Sequence, residues 1–86
     1  MEGILVGEVT HFYNRICVAV LDVKNTIRVG DQIHILGHST DYQQKVKSLQ
    51  IEHEQIQEAG PGMEVALKVE RLAHRGDKVY KLIEEA

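Results

Sequence analysis

Five histidines and one cysteine are the side chains best suited to metal or nucleophilic chemistry, and their spacing favours neither. The closest pair of histidines spans the end of a predicted strand and a turn, which is not a helical zinc motif. Cys17 lies in an apolar run, where we expect a buried, inert thiol. We predict no metal, no cofactor and no catalytic residue. The alternative is a metal ion held by two or three histidines at one end of a barrel. The histidines are His11, His34, His38, His53 and His74.

The sequence also lacks the loops on which common enzymes depend. It contains no glycine-rich phosphate loop and no Gly-x-Ser-x-Gly turn, and neither Ser39 nor Ser48 has a base beside it in a recognisable motif. A domain of 86 residues leaves little room for a deep pocket. We therefore expect a protein that binds a partner and is not an enzyme.

Composition predicts one small globular domain over residues 1–86. The net charge of −3 argues against coating nucleic acid by charge alone. A single cysteine excludes an internal disulfide, and no apolar run approaches the roughly 18 residues of a membrane span. An acidic residue follows the first methionine, where a signal peptide needs basic ones. We expect a cytoplasmic protein with no membrane partner.

Short runs rich in Val and Ile, separated by turn signals, predict strands rather than helices. Apolar and polar residues alternate most clearly over 63–69. The run 15–21 is apolar on both faces, which is typical of a central strand or of one that also meets a partner. After a strand that ends near His53 we expect an ordered loop with Ile56 tucked inward. The six predicted strands are 4–13, 15–21, 32–35, 46–53, 63–69 and 78–83.

Glycines and changes of phase indicate how these strands bend. Gly30-Asp31 and Gly76-Asp77 each precede a strand, with glycine supplying unusual backbone angles and aspartate bonding back to nearby amides. Gly7 and the pair Lys47-Ser48 mark expected bulges, which allow a sheet to curl. We predict an all-β fold, a small closed six-stranded antiparallel β-barrel over residues 4–83.

Four segments in order resemble domain 2, the barrel domain, of elongation factor Tu and related translational GTPases. The resemblance runs from about Val6 to Leu82 and extends to small stand-alone elongation-factor-like proteins that keep the barrel without the GTPase domain. Similar barrels also occur as appendages on collagenase-like peptidases associated with RNA modification. The four segments are 27–33 (IRVGDQI), 45–51 (KVKSLQI), 60–69 (GPGMEVALKV) and 75–79 (RGDKV).

The resemblance implies a non-catalytic binding module associated with translation, whose partner is transfer RNA, ribosomal RNA or a translation-related protein. In the elongation factors a glycine-containing segment helps form the pocket for the aminoacylated end of transfer RNA. The corresponding residues here, 13–16, have no glycine. Exposed aromatic rings stack on bases, and cations neutralise phosphates. The candidate binding residues are therefore Tyr13, Asn14, Arg15, Lys45, Lys47 and Gln50.

A second interpretation is a protein-interaction or homo-oligomeric adapter without RNA binding. It follows if another chain covers the apolar strand at 16–21. Phe12 is expected to belong to the core at one end of the barrel. A second basic cluster is interleaved with acidic residues, so we expect salt-bridged surface there. It consists of Lys68, Arg71, His74, Arg75 and Lys78.

Overall fold

A computed structural model describes residues 2–83, which form ten β-strands. These residues contain no helix, so the prediction of an all-β fold is confirmed. It follows that no membrane-crossing helix is found in this part of the chain. The strands are β1 (Glu2–Tyr13), β2 (Val18–Val23), β3 (Ile27–Arg28), β4 (Gln32–Leu36), β5 (Asp41–Lys45), β6 (Leu49–Ile51), β7 (Glu54–Ile56), β8 (Glu58–Ala59), β9 (Glu64–Lys68) and β10 (Lys78–Ile83).

Eight of the strands form one antiparallel sheet in the order β5-β4-β10-β1-β2-β9-β6-β7. The other two, β3 and β8, form a separate antiparallel pair. Within residues 2–83 no backbone ladder joins the edge strands β5 and β7, so the sheet is not closed. The prediction of a closed six-stranded barrel of the elongation-factor type is therefore wrong.

The core lies on one face of the large sheet, because every second side chain of a strand points to the same face. In β2 the alternate residues Ala19, Leu21 and Val23 are buried, whereas the residues between them are only half-buried. The predicted alternation at 63–69 gives the same pattern in β9. Ile27 of β3 pairs with Ala59 of β8, and both are buried, so the small sheet also contributes to the core.

The start of β2 differs from the prediction. Residues 14–17 form the turn between β1 and β2, and the strand begins at Val18 rather than at Arg15. Cys17 is therefore in a turn, half-buried against the core, and not in the middle of a strand. The bulge expected at Gly7 is confirmed, since the register between β1 and β10 shifts between Leu5 and Gly7.

The region from 46 to 56 also differs. β5 ends at Lys45 and a separate strand begins at Leu49, so the predicted bulge within one continuous strand is wrong. Glu52 and His53 have φ values of 49° and 68°, and they form a two-residue turn into β7 where we expected a loop. Ile56 packs against the core, as predicted.

The two Gly-Asp turns confirm their prediction. Gly30 and Gly76 have φ values of 98° and 94°, a backbone conformation that L side chains rarely adopt. Each aspartate bonds back to the amide three residues before it. Asp31 Oδ2 accepts from the Arg28 amide at 2.9 Å, and Asp77 Oδ2 accepts from the His74 amide at 2.8 Å.

Side chains, rather than a backbone ladder, hold the free edge of β5. We call the contact between residues 37–44 and residues 68–77 the seam. The buried Gln44 lies at its centre: its Nε2 donates to the Lys68 carbonyl at 3.0 Å, and its Oε1 accepts from the Glu70 amide at 2.8 Å. One amide side chain thus satisfies two backbone groups that a neighbouring strand would otherwise pair.

The second and fourth residues before Gln44, Tyr42 and Thr40, also contact the other side of the seam. The Tyr42 hydroxyl donates to the Arg71 carbonyl at 3.0 Å, and Thr40 Oγ1 lies 3.0 Å from His74 Nδ1. Burial raises the pKa of Tyr42 to about 12. The inward positions of this edge are therefore polar, and each contacts the segment that links β9 to β10.

Candidate functional site

The turn at 14–17 joins the end of β1 to the start of β2. Two hydrogen bonds hold its last two residues against β9 and against Val69, which follows β9. Lys68 Nζ donates to the Ile16 carbonyl at 2.5 Å, and the Val69 amide donates to the Cys17 carbonyl at 2.9 Å. Cys17 has a φ of 53°, in the left-handed region that allows the chain to turn into β2. The turn is thus tied to the rest of the sheet by its own backbone.

Apolar side chains point outward at this place, which we call the hairpin tip, residues 12–16. Tyr13 is 49% exposed and Ile16 is 57% exposed. The five residues line an open hollow of about 390 Å³. The ring of His11 lies beside that of Tyr13, with the ring centres 4.2 Å apart and the planes tilted by 55°. An exposed apolar group in a concave setting is typical of a surface that another molecule covers.

Two basic residues lie at the hairpin tip, although the whole chain carries a net charge of −3. Arg15 belongs to the tip, and Lys68 anchors it. Arg15 has no ion-pair partner within residues 2–83. The nearby Glu70 is paired with Lys47 at 2.8 Å. The tip therefore presents positive charge to an approaching molecule.

Three of the predicted binding residues come together in the tip, where Tyr13, Asn14 and Arg15 line the hollow. Lys47 is exposed and held by Glu70, the residue that follows the Val69 anchor. Phe12 is partly buried and packs against the core, as expected.

The other two predicted residues lie elsewhere. Gln50 is on β6, opposite Ala66 of β9 and two strands away from β2. Lys45 is on the edge strand β5, opposite Gln32. In the part of the chain that the structure describes, no hydrogen bond or ion pair joins Lys45 to the tip.

The exposure of Ile16 at this surface is not evident from the sequence. Its apolar neighbours predict a central strand, and the turn that exposes it has no glycine to reveal it.

One group of side chains in the seam contains the residue types of a nucleophilic triad. His74 Nδ1 lies 3.0 Å from Thr40 Oγ1 and 3.8 Å from Asp77 Oδ2. Both contacts use the same ring nitrogen, so the imidazole cannot pass a proton from the hydroxyl while the carboxylate orients it from the other side. Thr40 and Asp77 are also buried. This geometry suits the folding of the seam and not attack on a substrate.

A family comparison identifies the chain directly. Residues 3–78 match the model of the peptidase family U32 C-terminal domain. An uncharacterized protease of Methanocaldococcus jannaschii is 37% identical over 80 residues. The match covers 92% of this chain but only 20% of that relative's length.

Solved structures show the same fold. The C-terminal domain of a Geobacillus thermoleovorans protein assigned to the U32 peptidases aligns with a TM-score of 0.87 at 21% identity, and 92% of each chain is covered. The selenomethionine variant of that domain aligns with a TM-score of 0.84 at 20% identity, over 88% of this chain and 96% of the other. At this identity the likeness is one of fold alone.

These matches correct the resemblance to elongation factor Tu. The expectation of an elongation-factor-like protein with a role in translation is wrong, because the family model that covers most of the chain belongs to peptidases. Of the two settings that the resemblance named for such barrels, the family match supports the peptidase appendage. The chain belongs to the family of U32 peptidase C-terminal domains.

Proposed function

We propose that the chain is a non-catalytic accessory domain of a U32-family protein and that it binds a partner protein through the hairpin tip. Family membership supports the peptidase context. This chain spans one fifth of the length of the M. jannaschii relative, which is named a protease. The observation that carries the binding role is the hollow at 12–16, with exposed apolar side chains beside Arg15 and Lys68.

The surface favours an acidic partner segment that also carries an apolar side chain. Tyr13 and Ile16 offer apolar contact area, and a rigid aromatic ring gives such area at little cost in conformational entropy. Arg15 is exposed and has no ion-pair partner within residues 2–83, and a guanidinium can bind a carboxylate through two parallel hydrogen bonds. Charge of one sign at the tip speeds encounter with an oppositely charged surface and disfavours a basic one.

The tip is also prepared for binding before a partner arrives. The bonds from Lys68 and Val69 fix the turn in one conformation, so little backbone freedom remains to be lost. A preorganised site keeps more of its contact free energy as affinity.

A titration of the ¹⁵N-labelled chain with an acidic peptide tests the binding role. The probe is a peptide in which Glu and Leu alternate, and the control peptide replaces each Glu with Lys. We expect salt-dependent shifts at 12–16 with the acidic peptide and none with the basic one. Arg15→Glu should weaken binding by about tenfold, which is about 1.4 kcal/mol. The matched control Lys24→Glu reverses an exposed charge just after the end of β2 that lies opposite the tip, and it should change affinity less than about twofold.

Three results would contradict the proposal. Binding that is equal for the two peptides, or that maps to another face, would exclude the tip as a protein site. Tighter binding of a short RNA than of the acidic peptide would assign the tip to nucleic acid. Cleavage of casein by the purified chain, lost on His74→Ala, would show that the domain is catalytic.

A further inference from the structure

The outward faces of β1, β2 and β9 form a second surface, built of three parallel rows. We call it the outer face. The pairings of β2 with its two neighbours define the rows. The first row is Tyr13, Val18 and Lys68; the second is His11, Val20 and Ala66; the third is Glu8, Asp22 and Glu64.

Two of the three residues in the middle row of the outer face are apolar. Val20 and Ala66 are half-buried, and they point away from the core that the alternate residues Leu21 and Leu67 fill. A polar residue would be expected on the solvent side of such a strand. The apolar pair therefore marks a patch that a second surface can cover.

The two ends of the outer face carry opposite charge. Lys68 lies in the first row and Glu64 in the third, four residues away on the same strand, a separation of roughly 13 Å. In the third row Glu8 is bonded to Lys78, and this hydrogen bond lowers the pKa of Glu8. Asp22 is paired with Lys24 at 2.7 Å. Glu64 has no ion-pair partner within residues 2–83.

We propose that the outer face binds a second copy of this chain about a two-fold axis along its middle row. The two strand sets then run in opposite directions, so the first row of one copy faces the third row of the other. Lys68 meets Glu64 of the partner subunit, and the symmetry makes this pair twice. Lys68 can keep its bond to the Ile16 carbonyl, because an ammonium group has three donors. His11, Val20 and Ala66 lie at the axis, and each faces its own counterpart.

The contact is small, and its size sets the expected strength. Three rows of three residues are fewer than the roughly 20–30 residues on each side of a standard stable interface. Association should therefore be weak and reversible, and it should depend on salt because two exposed ion pairs contribute.

This self-association goes beyond the binding role of the hairpin tip. Tyr13 belongs to both the first row and the tip, whereas the other exposed tip residues at 14–16 lie beyond the first row. Antiparallel stacking places the two tips at opposite ends of the dimer, so the dimer can bind two acidic segments at once through 14–16. Such a bivalent contact can exceed the affinity of either tip alone.

Sedimentation equilibrium of the purified chain, compared with variants in which charged residues are reversed, tests the proposal. The chain is measured at concentrations from about 10 µM to about 1 mM, a range that covers weak dissociation constants. Over this range the average mass should rise from 9.7 kDa towards twice that value. Glu64→Lys and Lys68→Glu should each weaken association at least tenfold, and the double variant should restore it. Glu54→Lys is the matched control, since Glu54 is exposed on β7 outside the outer face, and it should change nothing.

Val20→Glu is a second variant that places charge at the axis, and it should abolish association. A wild-type chain that stays monomeric at all concentrations would overturn the proposal, as would a double variant that stays monomeric while its amide spectrum shows a native fold. E64K is also titrated with the acidic peptide. Wild-type peptide affinity in monomeric E64K would show that the tip works without the dimer, so the two proposals fail independently.

Discussion

The seam and the hairpin tip are both irregular places beside β-strands, and they use their side chains in opposite ways. In the seam, Gln44 and Tyr42 turn inward and bind backbone groups of residues 68–71. At the tip, Tyr13 and Ile16 turn outward, and the nearby Arg15 has no ion-pair partner in the described part of the chain. Polar groups are buried and satisfied at one place, while apolar and basic groups are exposed at the other.

The difference indicates which place serves folding and which serves binding. A buried polar side chain that completes backbone hydrogen bonds stabilises the fold and is costly to remove. An exposed apolar side chain contributes little to the fold, so its removal should leave stability almost unchanged. Substitutions in the two places should therefore separate stability from affinity.

Gly37→Ala should have the largest effect on stability. A Cβ at Gly37 would lie 1.8 Å from Asp77 Oδ1, and this carboxylate is buried and bonded to the His74 amide, so it cannot easily move. We expect a loss of about 3 kcal/mol in the free energy of unfolding, measured by urea denaturation. Gly60→Ala is the control, because no atom lies within 4 Å of its Cβ position. Equal stability of the two variants would show that the seam tolerates a shift at Asp77.

Gln44→Leu should have the second-largest effect on stability. It keeps the volume of the side chain but leaves the Lys68 carbonyl and the Glu70 amide without their partner. The expected loss is about 2 kcal/mol in the free energy of unfolding. Gln43→Leu, at the neighbouring exposed position, should cost less than about 0.5 kcal/mol. If both substitutions cost the same, Gln44 does not act through its hydrogen bonds.

Tyr42→Phe removes one hydrogen bond and should cost about 1 kcal/mol. It should also change the pH dependence of stability. The pKa of Tyr42 is raised from 10 to about 12 by burial, so the folded state holds this proton more tightly than the unfolded state. Its contribution is fully present below pH 10 and is lost as the pH rises to about 12. Urea titrations across this range should show a decline that is smaller in the variant, and an unchanged decline would contradict the assignment.

Ile16→Ser should have the smallest effect on stability. The side chain is 57% exposed, and the bond from Lys68 uses the Ile16 carbonyl rather than the side chain. The free energy of unfolding should stay within about 0.5 kcal/mol of the wild-type value, while affinity for the acidic peptide falls. A large loss of stability would show that the Ile16 side chain stabilises the fold, and it would remove the contrast between the tip and the seam.

Sequence patterns predicted those parts of the fold that depend on apolar alternation or on glycine. The strand at 63–69 and the turns at Gly30 and Gly76 are of this kind. β5 was missed because its inward positions are occupied by Tyr42 and Gln44, so no apolar alternation reveals it. The seam depends on contacts between distant segments, which a local pattern cannot show.

The structure brings Tyr13, Asn14 and Arg15 together because they adjoin one another in the chain, and their binding role remains a prediction. Gln50 lies on β6, and a local sequence pattern does not show which strands are neighbours. The family resemblance misled for a related reason. Gly-Asp turns and alternating strands are dictated by backbone geometry, and folds with different functions can share them.

Parallel measurement of stability and peptide affinity in Arg15→Glu and Gln44→Leu tests the central claim most directly. Arg15→Glu should lose about tenfold in affinity while its free energy of unfolding stays within about 0.5 kcal/mol of the wild-type value. Gln44→Leu should lose about 2 kcal/mol in stability while its affinity stays within about twofold. Wild-type affinity in Arg15→Glu, or an affinity that falls with stability in both variants, would contradict the claim that the hairpin tip determines binding and the seam determines stability.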